Sequence, residues 1–347
     1  MSIAAPKATW EQEWANWLSK ARREGKLTIY TTAGSDVAQA LKKAFSSKYG
    51  IEIDTVSGRG GELARKIGAE RRAGLFLADV YMGGPNTMLN VLKPEGMLQK
   101  IDPLLLLPEV SQRSVWVGGK MPFLDKDRTV LIVRYSPQTY LTVNTNLVKE
   151  GEIKSFKNLL EPKWKGKIVM QDPTVAGVTQ EILAMVGDKI MDWTYVEQLA
   201  KQEPVVLRDD SLLGGWVARG KYPLGFGLKI DVIKELANAG APLSFPPLDE
   251  GTHVSPGAGA FSFPDKSPHP FATRIFVNWL LTREGMTTYS KASITGSARL
   301  DIPTDHLPDS EIPKSSVKYV VADESYYLNR PEFDNKVKRI FRGLSAK

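Results

Sequence analysis

The sequence predicts an α/β protein of two lobes, each built on a largely parallel sheet with helices on its faces. Three observations lead there. Between Lys26 and Gly84, apolar runs of strand length alternate with amphipathic stretches of helix length, the order of a parallel sheet. The same grammar returns between residues 145 and 250, after a β-rich stretch from Arg128 to Val148. A length of 347 residues is that of two domains rather than one.

The elements follow in order. Trp10, Trp14, Trp17, Leu18 and Ala21 recur at helical intervals, so Trp10 to Glu24 reads as a helix packed on a core. "KLTIYTTAG" is a strand that ends in Thr31-Thr32-Ala33-Gly34. "SDVAQALKKAFSSKYG" is a helix with Ser35 as its N-cap and Gly50 as its stop. "IEIDTV" is a second strand, running into Ser57-Gly58-Arg59-Gly60-Gly61 and a helix with Leu63 and Ile67 on one face. "LADVYMGG" is a third strand, and Ser136-Pro137 interrupts the β-rich stretch that comes later. Lys167 to Met170 is a strand that meets Asp172-Pro173-Thr174-Val175-Ala176-Gly177 before a helix. Another strand reaches Gly225-Phe226-Gly227, with Lys229 and a helix beyond. A further strand in "GAGAFSF" precedes a helix whose apolar face is Phe271, Ile275, Phe276, Trp279 and Leu280. The tail from Ile302 is rich in proline and charge until a closing helix near Pro331 to Leu344.

Composition removes several function classes. No cysteine is present, which excludes disulfides, thiolate metal sites and cysteine nucleophiles. The formal charge is +7, yet Lys and Arg are interleaved with acids and form no basic stripe with aromatics, so no nucleic-acid partner is expected. His253, His269 and His306 are scattered, so no metal cluster is expected. Neither G-x-S-x-G nor H-E-x-x-H occurs, nor a dinucleotide or P-loop fingerprint, so the sequence offers no enzyme and no cofactor. No window approaches eighteen apolar residues. The start "MSIAAPKATWEQEW" lacks a basic region followed by an apolar one. It reads as a cytoplasmic protein or as the mature form of an exported one behind an added Met1.

In open parallel sheets, ligands sit beyond the carboxyl ends of strands. Three consecutive ends here carry small or polar residues: Thr32 and Ala33, then Ser57, Gly58, Arg59 and Gly60, then Gly84. The glycines have two readings, a turn that needs positive φ or a backbone nest that holds an anion.

In the right order, "KLTIYTTAG", "SGRGGELARKIGAERRAGLFLADVYMGG", "YLTVNTNLV", "WKGKIVMQDPT", "VARGKYPLGFG" and "SPHPFATRIFVNWLLTREG" cover most of residues 26 to 300. This set resembles the type II periplasmic binding proteins, the solute-binding components of ABC importers, and most closely their ferric-iron-type branch, family 1. The resemblance implies a two-lobed type II fold with a hinge of crossover strands near Tyr140 to Asn144 and Ala258 to Phe263. Residues 1–140 with 258–300 then form one lobe, 141–257 the other, and 301–347 a tail packed on them. It also implies a monomer outside the cytoplasm that traps a solute between closing lobes and hands it to an ABC permease.

Iron-binding members of that branch usually carry adjacent tyrosines shortly after the strand that here ends in Gly-Phe-Gly. This chain has Leu228-Lys229-Ile230-Asp231 there: Ile230 cannot ligate and Lys229 repels a cation. The pair Tyr326-Tyr327 lies in the tail and reads as packing or surface. The expected solute is therefore a small anion bearing phosphate, phosphonate or carboxylate. Ser57, Gly58, Arg59 and Gly60 meet it at a helix N-terminus, where the dipole favours negative charge. Arginine's planar fork suits such groups. Asp172 and Thr174 mark a second helix start, with Asp172 also expected as its cap, and Lys229 adds a cation. A ferric-iron binder with other oxygen ligands is the alternative. A sensory domain or an enzyme on the same fold are the rivals from other classes.

Overall fold

A computed structural model describes residues 9–175, 177–313 and 317–344. The chain divides into two compact units, the first comprising the residues up to Ser136 together with Pro256–Ile312, the second Pro137–Ser255 together with the residues from Pro313.

The first unit opens with α1 (Trp10–Glu24), β1 (Lys26–Thr31), α2 (Ser35–Tyr49), β2 (Glu52–Ser57), α3 (Gly60–Arg72) and β3 (Val80–Gly83). Short turns α4 (Pro85–Thr87) and α5 (Pro108–Ser111) precede β4 (Val130–Ile132), and β5 (Ser136–Pro137) carries the chain across the boundary. Helix α1 starts in a capping box: Gln12 N–H donates to Thr9 Oγ1 at 3.4 Å, and Thr9 N–H donates to Gln12 Oε1 at 3.0 Å. It buries Trp17 and Ala21, while Trp10 stands exposed at its start. For α2 the cap is Gly34 rather than Ser35, which is already the first helical residue. Gly50 ends it at φ 69°.

Element order in the second unit is β6 (Leu141–Asn144), β7 (Ile168–Gln171), α6 (Val178–Met185), α7 (Trp193–Lys201), β8 (Val205–Leu207) and α8 (Asp210–Ala218), then β9 (Leu224–Phe226), α9 (Ile230–Asn238), β10 (Leu243–Ser244) and β11 (Thr252–Ser255). The chain then returns to the first unit for β12 (Ala260–Ser262), α10 (Pro270–Leu281) and α11 (Arg283–Ser293), and ends in the second with β13 (Tyr319–Val321) and α12 (Glu324–Phe341).

The first unit's sheet has the order β2-β1-β3-β12-β4. β1 pairs in parallel with β2 and with β3, and β12 is antiparallel to both β3 and β4. Its core gathers Leu27, Ile29, Ile53, Val80 and Met82 from the strands under Phe45, Phe276 and Trp279 from the helices. Phe45 lies 5.4 Å from Phe276 and 5.3 Å from Trp279, ring centre to ring centre. Asp79, buried just before β3, binds the sheet to the start of α10. Its carboxylate accepts Thr28 N–H at 2.7 Å, Ser267 Oγ at 2.5 Å and His269 N–H at 2.9 Å, and meets His269 Nδ1 at 2.8 Å. His269 is thereby accounted for as a structural residue.

The second unit's sheet runs β10-β6-β9-β7-β8, with β7 parallel to β8 and β9 and with β6 antiparallel to β9. β11 and β13 pair in parallel in a separate small sheet. Helix α12 corrects the expected start at Pro331, because Asp323 caps it: Tyr326 N–H donates to Asp323 Oδ1 at 2.9 Å, and Pro331 lies inside the helix. The proline loses one backbone hydrogen bond. Tyr326, Tyr327, Phe333, Val337 and Phe341 offset that by burying one face of α12.

Candidate functional site

The strand ends that the sequence singled out meet along one edge of the first unit's sheet. Thr31 is in register with Ser57 on one side and with Met82 on the other. Ala260 pairs with both Gly83 and Ile132, so the end of β4 and the start of β12 lie on this edge too. Hydrogen bonds lock the ends together: Gly58 N–H to Thr31 O at 3.2 Å, and Thr32 N–H to Met82 O at 2.9 Å. Ala33 N–H donates to Thr31 Oγ1 at 2.9 Å. A side chain at Gly83 would press on Thr32, its Cβ 3.0 Å from Thr32 Oγ1.

Arg59 is the N-cap of α3 in extended conformation, its N–H held by Glu62 Oε2 at 3.2 Å. Glu62 and Leu63 donate their N–H groups to Arg59 O at 2.9 and 3.0 Å. The N–H groups of Gly60 and Gly61 donate to no group among the described residues. The Arg59 side chain is exposed and pairs with no carboxylate among those residues. Ser57 is exposed beside it.

Positive φ is not why these glycines are here, since Gly58, Gly60, Gly61 and Gly84 all lack it. Gly60 is required by close approach: a Cβ there would stand 2.6 Å from Thr87 Oγ1 and 3.3 Å from the Tyr81 hydroxyl. The free backbone donors here are thus those of an ordinary first helical turn rather than of a left-handed nest. Gly84 lies at the end of β3, where a Cβ would come 3.8 Å from the Gly257 carbonyl.

A second edge is formed within the second unit, where Gln171 is in register with Leu207 and Met170 with Phe226. Asp172 is buried there. Its Oδ1 accepts the Thr174 N–H at 2.9 Å and the Thr174 hydroxyl at 2.6 Å, and its Oδ2 accepts Arg208 Nε at 3.1 Å. Burial alone would raise the Asp172 pKa, but the Thr174 bonds and Arg208 outweigh it and hold the carboxyl below its ordinary range. Asp172 caps no helix, because α6 begins after Gly177. Ala176 lies outside the described residues. Lys229 Nζ is 2.5 Å from Asp210 Oδ2, and Gln171 Nε2 donates to Asp210 Oδ1 at 2.8 Å. Asp209 caps α8 through Leu212 N–H at 2.9 Å.

The sequence reading missed Arg208, Asp209, Asp210 and Arg134. Strand β8 is three residues long, too short for periodicity to reveal, so the Arg-Asp-Asp that ends it went unread as a strand end. Arg134 lay hidden inside the β-rich stretch.

Tyr326 and Tyr327 are packing residues. Tyr326 Oη donates to Glu181 O at 3.3 Å and accepts from Arg330 Nη1 at 3.1 Å. Burial pushes both phenol pKa values far above the ordinary range, which works against phenolate ligation. His253 is buried in β11, its pKa driven down to about 3 by burial and by the nearby Arg330 charge. His306 Nε2 is 2.9 Å from Ser290 Oγ.

Residues 27–292 match the family described as bacterial extracellular solute-binding protein. The chain belongs to that family. An uncharacterized protein of Haemophilus influenzae is 25% identical over 275 residues, covering 76% of this chain and 75% of that one. Among solved structures, the periplasmic binding protein AfuA of Actinobacillus pleuropneumoniae, with exogenous fructose-6-phosphate bound, aligns at TM-score 0.64 with 21% identity, over 92% of this chain and 99% of that chain. The Trichodesmium protein IdiA (FutA), in complex with iron and citrate, aligns at TM-score 0.71 with 17% identity, over 93% and 100% of the two chains. These two similarities establish the fold, a type II two-lobed binding protein. Family members are extracytoplasmic solute-binding proteins of ABC importers. They bind small solutes and a membrane permease, and are binding proteins rather than enzymes. No helix among the described residues is long and apolar enough to cross a membrane.

Proposed function

We propose that the solute of this importer component is a small anion bearing phosphate, phosphonate or carboxylate, bound at the strand-end edge of the first unit. One observation carries the reading. Thr32, Ser57, Arg59 and the N–H groups of Gly60 and Gly61 converge on in-register strand ends, and the only carboxylate bonded there is Glu62 among the described residues. Donors and a cation without an internal acceptor favour an anion from outside. Asp172, Thr174 and Lys229 of the second unit are each already engaged by a neighbour, so they are left out of the anion's donor set. The protein works as a periplasmic monomer and catalyses nothing. The AfuA neighbour, bound to a sugar phosphate, is consistent with this class.

Ferric iron is the second reading, favoured by the neighbour with iron and citrate. A thermal-shift screen separates the two. A ligand that binds only the folded chain stabilises it by about 2.7 kcal/mol at a hundredfold excess over Kd. Fructose 6-phosphate, inorganic phosphate, a phosphonate and citrate are expected to include a stabiliser, with fructose silent. Stabilisation by ferric ion alone, with a tyrosinate-to-iron colour band, would establish the other reading.

A further inference from the structure

Arg134 is a partly buried cation without a counter-charge among the described residues. It follows β4 on the same edge as Thr32 and Gly84. The side chain is partly buried, and its Nε is sealed from water with no hydrogen-bond partner among the described residues. Nη2 donates to Ser136 Oγ at 3.1 Å, a neutral acceptor. No carboxylate among the described residues pairs with it. A guanidinium partly withdrawn from water without a counter-charge is costly, and an external anion offsets that cost.

The surrounding chain is shaped to admit this side chain. Gly257 has φ +48°, and a Cβ there would stand 2.5 Å from Arg134 Nη1. At Gly259 a Cβ would overlap the Arg134 Cβ and come 2.7 Å from the Tyr289 hydroxyl. Tyr289 does not compensate the charge. Burial pushes its pKa up to about 12 although Arg134 pulls it down, so the phenol is neutral at ordinary pH. A Cβ added at Gly84 would stand 3.8 Å from the Gly257 carbonyl, which places Gly257 close to the end of β3.

We propose that Arg134 is the principal anchor of the solute's anionic group, a phosphate or carboxylate whose oxygens pair with the guanidinium beside Gly84 and Gly257. The inference rests on the anionic-solute reading and sharpens it. Strand order sets Arg59 and Arg134 at opposite ends of the edge, beyond β2 and β4. Arg59, exposed, steers the anion and is screened by salt, whereas Arg134, enclosed, holds it.

The test is calorimetric titration of fructose 6-phosphate, inorganic phosphate and citrate into the unaltered chain, Arg134→Gln, Arg134→Lys and Arg59→Gln, with apo melting curves to confirm folding. At least one probe is expected to bind the unaltered chain. Arg134→Gln should weaken it by about thirtyfold or more, the loss expected when a buried charge pair is truncated. Arg134→Lys should recover part of that, and Arg59→Gln should cost only a few-fold. Crystals of the unaltered chain soaked in inorganic phosphate should show an anion within hydrogen-bond distance of Arg134, which decides the matter if Arg134→Gln fails to fold. A probe that binds Arg134→Gln as tightly as the unaltered chain, with no anion beside Arg134, overturns the inference and leaves the proposed function standing. If no anionic probe binds and the soaked crystal shows none, both fall.

Discussion

The strand-end edges of the two units use the same backbone architecture and opposite electrostatics. In the first, Arg59 and Arg134 have no carboxylate partner among the described residues, and two N–H groups of α3 donate to nothing. In the second, Arg208 is paired with Asp172 and Lys229 with Asp210, and Thr174 is consumed by Asp172. The ends of parallel strands therefore supply a place for ligand chemistry without dictating its sign. Whether a cation there is available depends on which acids the neighbouring strand ends carry.

The two units also differ in their buried histidines, and this gives the largest expected effect. His253 has a folded pKa of about 3 against 6.5 for the free group, so the unfolded chain takes the proton first. Stability is then complete above about pH 6.5 and declines as pH falls towards 3, by up to about 1.4 kcal/mol per pH unit. Hydrogen exchange at pH 4.5 should show the second unit opening more readily than at pH 7, and His253→Leu should flatten that dependence. Equal acid response in both chains would break the assignment.

Next in size is Asp172→Ala, which leaves Arg208 and Thr174 without their acceptor. Loss of about 1–3 kcal/mol in urea unfolding is expected, with a change in anion affinity much smaller than that of Arg134→Gln. A large loss of affinity instead would place the second edge in direct contact with solute. Gly60→Ala sets a methyl against Thr87 and should destabilise by about 1–3 kcal/mol through overpacking. Smallest is the Lys229–Asp210 pair. Because Lys229 is half exposed, a double-mutant cycle should give a coupling of about 0.2–1 kcal/mol. A coupling well above that range would mean the pair is shielded from solvent.

Much of the first edge is legible in the residues themselves. The strand-helix alternation from Lys26 to Gly84 marks three parallel strands, and Thr32, Ser57, Arg59 and Gly84 follow as their ends. The pattern fails where signals are short or in conflict. Strand β8 offers three residues, so the acids that pair the second unit's cations stay unseen. Pro331 argues for a helix start, yet the Asp323 cap and the buried tyrosines lengthen α12 through it. Gly60 is legible as a necessary glycine, but for the wrong cause, since its constraint comes from Thr87.

Periodicity and turn chemistry act over a few residues, and so the chain order of β1, β2 and β3, their parallel sense and the small residues at their ends were determined by the sequence alone, whereas the antiparallel partners β12 and β6 were not. Compensation of charge acts between groups far apart in the chain. Asp210 reaches Lys229 across nineteen positions, and Arg134 is enclosed by glycines more than a hundred positions away. Only tertiary structure decides which cations are neutralised, because Coulomb energy and desolvation follow distance in space rather than along the chain.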